Sequence, residues 1–310
     1  MSITFGVITD VHYNNGTAQE LWGSGPVLDE QYRQYSTADD RLKEFLEEIE
    51  TQSADFGIQL GDLVDDGTGN RATDLAAAIN RYDTDYSNSV WNVLGNHEAS
   101  LYDGSGGNAF SDYWTTMDTA ANVGSRENEW DPDGDGTAAY TFEEGGVRFV
   151  VLYATGIGDA QSPGAVDIDT WLSTVALDTT NPVVVFTHGS LVDTGYEYGH
   201  VDNYATIRGL LETAGNVQLV VQGHFHRNQI SDWVVPYQTI NDILYFSCRG
   251  SVLGSDDGDS SDTATITDSA YYLFNITPNA IKGTNQQRAN VAVTAYEKGV
   301  GKLIDRFVVA

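Results

Sequence analysis

The chain carries a series of short, unbroken apolar runs: Ile3–Thr9, Phe56–Leu60, Val90–Leu94, Val147–Tyr153, Val183–Thr187, Val217–Val221 and Ile243–Cys248. Tyr271–Ile276, Val291–Tyr296 and Leu303–Val309 join them late in the chain. Continuous apolarity, rather than strict alternation, predicts strands in sheets covered on both faces. A helical period intervenes between several runs. Leu42, Phe45, Leu46 and Ile49 recur on one face, with Asp39, Asp40, Glu44, Glu47 and Glu48 on the other. Acidic residues near its start suit the helix dipole. Further helices are expected through Leu75–Tyr82, after Asp169 with Trp171, Leu172 and Val175 apolar, and around Ile207, Leu210 and Leu211, with Gly215 ending the last. Strand–helix alternation over the first two thirds predicts an α/β fold. With no internal repeat or clear linker, 1–310 is expected to be one domain. Its Gly- and Asp-rich stretches Asp103–Asn108, Asp131–Gly136 and Gly254–Asp262 then read as acidic loop insertions.

Polar clusters sit directly behind five of these strands. They are Asp10-Val11-His12, Gly61-Asp62-Leu63-Val64-Asp65, Gly95-Asn96-His97-Glu98, His188-Gly189 and Gly223-His224-Phe225-His226. In open α/β sheets, ligand sites gather beyond the carboxyl ends of the strands, so distant motifs can converge. Of the six histidines, only His200 lies outside these clusters. His, Asp and Asn supply nitrogen and oxygen ligands for manganese, iron, zinc or similar divalent ions. Taken singly, Asp-x-His is common by chance and a lone His is more often structural. The ordered set of five is hard to explain by buried structural histidines.

This set resembles the calcineurin-like metallophosphoesterase superfamily over positions 10 to 226. The resemblance implies a four-layer α-β-β-α sandwich with two mixed β-sheets. It implies two divalent metal ions, manganese first and iron or zinc also compatible. Asp10, His12 and His226 are then expected on one ion, Asn96, His188 and His224 on the other, and Asp62 between them. His97 is expected beside the scissile group as a proton donor, and Asp65 and Glu98 as residues that orient their neighbours. The implied activity is hydrolysis of a phosphodiester, diphosphate or phosphomonoester in a small, nucleotide-type molecule by metal-activated water.

Two branches fit poorly. Purple acid phosphatases place tyrosine where this chain has Asp65, and serine/threonine protein phosphatases place arginine at Asp66. Manganese-dependent ADP-ribose/CDP-alcohol diphosphatases are more similar through Phe5–Val11, Tyr32-Arg33, Gln59–Asp62 and Gly95–Glu98, although many carry Gln where His12 stands. His12 gives a fuller ligand set, as in cyclic-nucleotide phosphodiesterase-like members. The alternative is a non-catalytic metal-binding scaffold of the same fold. Such proteins typically lose ligands or the catalytic histidine, and this chain keeps both.

Other residues are softer candidates for substrate contact: His200 in the loop Gly195–His200, Arg33, and Arg249 at a strand end. Asp131-Pro132-Asp133-Gly134-Asp135-Gly136 mimics the start of a calcium loop. Its twelfth position is Phe142, and Glu143 comes one residue late, so a hydrated acidic loop is the simpler expectation.

Composition narrows the partners. Forty-five acidic residues face 15 Lys plus Arg, for a net charge of −30, and arginine outnumbers lysine. Such a surface repels nucleic acid and anionic membranes. It resembles that of a haloarchaeal protein, for which concentrated salt shortens the Debye length to about 3 Å at 1 M. With a single cysteine, Cys248, no intrachain disulfide can form, and its apolar setting predicts a buried thiol. The N-terminus reads directly as a strand, and no apolar run is long enough to span a bilayer. Both point to a cytoplasmic protein.

Overall fold

The computed structural model describes residues 2–13, 19–20, 26–27, 38–64, 71–100, 109–131, 136–153, 168–192, 201, 203–224, 237–251, 270–277, 290–297 and 302–309. In chain order the elements begin with β1 (Ile3–Ile8), β2 (Gln19–Glu20), β3 (Pro26–Val27), α1 (Ala38–Thr51), β4 (Phe56–Gln59), α2 (Arg71–Asp85) and β5 (Val90–Asn92). Next come α3 (Asn96–Ser100), α4 (Ala109–Met117), β6 (Glu127–Trp130), β7 (Ala139–Glu144), β8 (Val147–Leu152) and α5 (Ile168–Trp171). The rest is β9 (Val183–Thr187), α6 (Tyr204–Ala214), β10 (Val217–Gln222), β11 (Tyr237–Ile240), β12 (Ile243–Ser247), β13 (Ala270–Thr277), β14 (Asn290–Glu297) and β15 (Lys302–Val309).

Two mixed sheets result. The first runs β15-β14-β13-β1-β4-β5, parallel across β1, β4 and β5 and antiparallel beyond β1. The second runs β11-β12-β10-β9-β8-β7-β6, with β12, β10, β9 and β8 parallel. They pack face to face through aromatic rings. Phe5 on β1 stacks on Phe56 and Phe274 within its own sheet, at 5.0 and 5.1 Å. It meets Phe149 and Phe186 of the other sheet edge-on, at 5.9 and 5.5 Å. These are favourable separations for offset and edge-to-face ring pairs.

Helices close the outer faces. On the first sheet, α1 buries Leu42, Phe45, Leu46 and Ile49, the stripe its period predicts. Each such side chain contributes roughly 1.5–3 kcal/mol on burial, so this face outweighs the few tenths available from the acidic first turn and the dipole. On the second sheet, Leu172, Ala176, Ile207 and Leu211 pack with Val150, Val185, Val220 and Tyr245. The two mixed sheets and their helices make the expected α-β-β-α layering. Double coverage is why β9 and β10 are buried at every position.

Some elements differ from the sequence reading. The helix after Asp169 is α only through Trp171. It then widens into a π-helical turn, Leu172–Ala176, closed by the Leu177 N–H donating to the Leu172 carbonyl at 2.9 Å. Helix α4 and the hairpin strands β6 and β7 were not expected. Their apolar residues are few and interrupted, and Tyr113, Trp114 and Met117 become buried only through tertiary contacts. Helix α6 does end before Gly215, whose φ is +71°. Within the calcium-like stretch, 132–135 lie outside the described residues. Phe142, at the position where a chelating Glu would be needed, is buried against Trp91 at 3.8 Å, and Glu143 is engaged by Arg148 at 2.9 Å. No described helix is long and apolar enough to cross a membrane.

Candidate metal centre

The loops that follow β1 and β4 run side by side. Asp10, His12 and Tyr13 donate their backbone N–H groups to the carbonyls of Gly61, Asp62 and Leu63, at 3.0, 2.9 and 2.6 Å. Asp10, His12, Asp62 and His224 all hold left-handed backbones, with φ of 52°, 45°, 54° and 69°. That conformation costs a residue other than glycine on the order of 1–2 kcal/mol. It persists only where the surroundings over-determine it, and such strain clusters at functional sites. Here it turns four chemically active side chains away from their strands toward one another.

Asp62 lies at the centre. Its Oδ2 is 3.2 Å from His188 Nε2, 3.8 Å from His12 Nε2 and 3.9 Å from His97 Nε2. Its Oδ1 accepts the backbone N–H of His97 at 2.9 Å. His188 Nε2 also lies 3.1 Å from Asn96 Oδ1 and 3.2 Å from His224 Nδ1. The other nitrogen of His188, Nδ1, is 2.7 Å from the Leu60 carbonyl. A carbonyl only accepts, so Nδ1 carries a proton and Nε2 faces the cluster, the arrangement that orients a metal-binding imidazole.

A ring nitrogen set among oxygens and a second ring nitrogen is a position for positive charge, supplied by a proton or by a metal ion. The protonation balance points the same way. Burial opposes charge on His188, yet Asp62, with Asp10 behind it, lifts its pKa to about 9. Burial likewise penalises the Asp62 carboxylate, but His188, His97 and His12 together hold it well below its ordinary range. The donor set therefore fits a metal ion. One atom each of Asp10, Asp62, His188 and His224 lie within 4.8 Å of one another, as do those of His12, Asp62 and His97. The shared Asp62 suits two ions joined by one carboxylate, all with the nitrogen and oxygen donors that divalent ions take.

Glycine permits this closeness. A Cβ on Gly61, whose φ is +101°, would come within 2.5 Å of His188 Nδ1, and one on Gly95 within 2.2 Å of Asp62 Oδ1. The buried Glu98 carboxylate accepts the N–H groups of Asp62 and Gly95, each at 2.8 Å, and of Val64 at 3.2 Å. It thereby ties the loop after β4 to the loop after β5. Burial, with Asp62 nearby, raises its pKa to about 7.

The structure brings together Asp10, His12, Asp62, Asn96, His97, His188 and His224. His97 stands at the edge of the group, 9% exposed where His12 and His188 are fully buried. Its ring meets His12 edge-on at 4.5 Å. Arg249 follows β12 and donates its backbone N–H to the Tyr272 hydroxyl at 3.0 Å, two residues before a loop residue that touches Asp10. His226, Asp65, Arg33 and His200 lie outside the described residues.

Sequence reasoning missed several supporting side chains. Thr9 donates its hydroxyl to Asp10 Oδ2 at 2.6 Å, and the same oxygen accepts the His224 N–H at 3.2 Å. Gln59 brackets the Gly61 backbone, donating to its carbonyl at 2.6 Å and accepting its N–H at 3.0 Å. Gln222, just before Gly223-His224, accepts the Leu191 N–H and donates to Ser190 and Ser247, joining the His188 loop to the His224 loop. Polar residues in or directly after otherwise apolar runs were the available signal for Thr9, Gln59 and Gln222, and all three are fully buried and hydrogen-bonded. Cys248 is free and buried, as expected.

The family model described as calcineurin-like phosphoesterase matches residues 3–228. No curated protein matches the chain. Among solved structures, a dimetal phosphatase from Danio rerio is similar over 99% of this chain and 98% of its own, with a TM-score of 0.60 at 16% identity. A purple acid phosphatase from yellow lupin (Lupinus luteus) seeds is similar over all of this chain and 54% of its own, with a TM-score of 0.53 at 12% identity. At these identities the likeness is one of fold.

Proposed function

Because the chain belongs to the calcineurin-like phosphoesterase family, we propose that it hydrolyses a phosphodiester, diphosphate or phosphomonoester bond of a small molecule at two divalent metal ions bridged by Asp62. The observation that carries this reading is the crowding of His188, His12 and His97 ring nitrogens within 3.2 to 3.9 Å of one Asp62 oxygen. Asp10, His12 and His226 would hold one ion, and Asn96, His188 and His224 the other, with the Asp10 carboxylate standing near the second group as well. Manganese is the first choice on the resemblance to manganese-dependent members, and the nitrogen and oxygen donors suit iron or zinc as well.

When bound, the ions would polarise the phosphoryl group and lower the pKa of the attacking water. The protein's own residues supply the rest. Glu98 and Gly95 fix Asp62 before substrate arrives, so little reorganisation is needed during reaction. His97 at the edge of the cluster would hold a proton on its ring and pass it to the leaving oxygen. Local cationic charge is essential because the chain's net charge of −30 opposes approach of an anion. Arg249, Arg33 and His200 are candidates for contacts to the remainder of a nucleotide-type substrate.

The test uses protein stripped with a chelator and reloaded with Mn²⁺ in high-salt buffer. It is assayed on bis-p-nitrophenyl phosphate, p-nitrophenyl phosphate and ADP-ribose. Metal-dependent turnover is expected, and the preferred compound separates diesterase, monoesterase and diphosphatase. Folded, metal-loaded protein inert on all three would sink the reading.

A further inference from the structure

Two of the left-handed residues, Asp10 and His12, lie in one four-residue segment, Asp10 to Tyr13, between the end of β1 and the residues beyond it. Both ends of that segment are gripped from the first turn of α1. At the near end, Ser251 donates its hydroxyl to the Asp10 carbonyl at 3.1 Å and its N–H to the Thr9 carbonyl at 2.8 Å. The Ser251 carbonyl in turn accepts a hydrogen bond from Arg41 Nη1. At the far end, the Tyr13 hydroxyl donates to Asp39 Oδ1 at 2.8 Å. Asp39 is fixed by the Arg81 guanidinium of α2, whose Nε lies 2.7 Å from Oδ1 and whose Nη2 meets Oδ2.

Arg41 is 2% exposed and Ser251 2%, while Tyr13 is 3% exposed. Burying a guanidinium is unfavourable unless its hydrogen bonds and partners offset the loss of water. Here the buried cation spends a donor on the turn that holds Asp10. The strained segment needs such support, since left-handed backbone at two of its four residues would otherwise relax. The grip also spans the two sheets: Arg41 and Asp39 lie on the helix covering the first sheet, while Ser251 follows β12 of the second.

We propose that the first turn of α1 is a clamp that sets the positions of Asp10 and His12, with Arg41 and Asp39 as positioning residues acting through Ser251 and Tyr13. This rests on the metal-centre reading above. The clamp's effect is on how tightly an ion is held, before any substrate is present. Residues that orient metal ligands typically change affinity by about 10- to 100-fold when removed.

The test is a Mn²⁺ titration of chelator-stripped protein by calorimetry, alongside the thermal stability of the metal-free form. Ser251→Ala and Tyr13→Phe each delete one hydroxyl and leave the charges in place. Each is expected to weaken one of two bound ions by about 10-fold, with the other held as in the unaltered protein. Arg41→Met is expected to do the same more severely. If Arg41→Met does not fold, the two hydroxyl variants decide. Either of them binding both ions as tightly as the unaltered chain overturns the clamp, even if its melting temperature falls. Unaltered protein that binds fewer than two ions overturns the metal-centre reading itself, and the clamp with it.

Discussion

Gly95→Ala is the sharpest perturbation the geometry offers. The added methyl would lie 2.2 Å from Asp62 Oδ1 and 2.3 Å from the Asp62 backbone nitrogen, and real Cβ contacts essentially never fall below 3.0 Å. One of the two obstacles is backbone, so the clash cannot be relieved by rotating a flexible side chain. The two loops must separate by roughly 1 Å, and overpacking of this kind costs about 1–3 kcal/mol of stability. That cost alone leaves a protein of ordinary stability folded. Function should suffer more, because a misplacement of about 1 Å in a catalytic constellation costs on the order of 10²-fold in rate. Gly209→Ala in α6 is the matched control. Nothing lies within 4 Å of its Cβ, and removing a helix-interior glycine should stabilise by about 0.8–1 kcal/mol. The assay is kcat/KM with added Mn²⁺, beside chemical denaturation of the metal-free proteins. Folded Gly95→Ala protein with unchanged turnover and unchanged Mn²⁺ affinity would refute the packing of Asp62 against Gly95 as the feature that sets the centre.

Three further outcomes are expected. His97→Asn should lower turnover by about 10²-fold or more while both ions remain bound, read from kinetics beside metal content; lost metal with proportionate activity would make His97 a ligand instead. In Asp39, the hydrogen bond from Arg81 outweighs burial and holds the carboxyl below its ordinary range. The folded state therefore binds fewer protons than the unfolded one as pH falls through about 4, and the stability this provides is present at neutral pH and lost on acidification. Asp39→Asn should flatten that acid decline in denaturation midpoints measured from pH 6 to 3, and an unchanged slope would contradict the pairing. Raising KCl from 0.1 to 2 M should raise the melting temperature, because screening relieves the repulsion within a chain of net charge −30; a melting temperature that falls or stays level would remove the salt-adapted reading.

Much of the fold was legible because buried strands announce themselves. Val183–Thr187 is the same in sequence and structure, and the other long apolar runs shift by a residue or two at their ends. The α1 stripe was equally clear, since both 3.6-residue period and acidic outer face agree. What hid was structure made by packing rather than by pattern. Helix α4 offers three buried apolar residues in a short span, and the π-helical turn after Trp171 has no period of its own. Among the site residues, those on a motif behind a strand could be found, from Asp10 to His224. Ser251 and Arg41 could not. Ser251 reaches Asp10 across 241 positions of sequence, through a hydroxyl and a carbonyl that any serine carries. Arg41 falls on the buried face of α1 by the helical period, in line with Ala38, Phe45 and Ile49, but nothing in the sequence names Ser251 as its partner. Left-handed backbone at Asp10, His12, Asp62 and His224 also leaves no mark in residue type, for none of them is glycine.

The central claim is that Asp62 joins two metal ions into one hydrolytic centre. It is tested most directly by counting metal per chain and turnover together, in unaltered protein and in Asp62→Asn, after chelator stripping and Mn²⁺ reloading in high salt. Two ions with turnover in the unaltered chain, and fewer ions with turnover abolished in the folded variant, is the expected result. Two ions and undiminished hydrolysis in Asp62→Asn would contradict it.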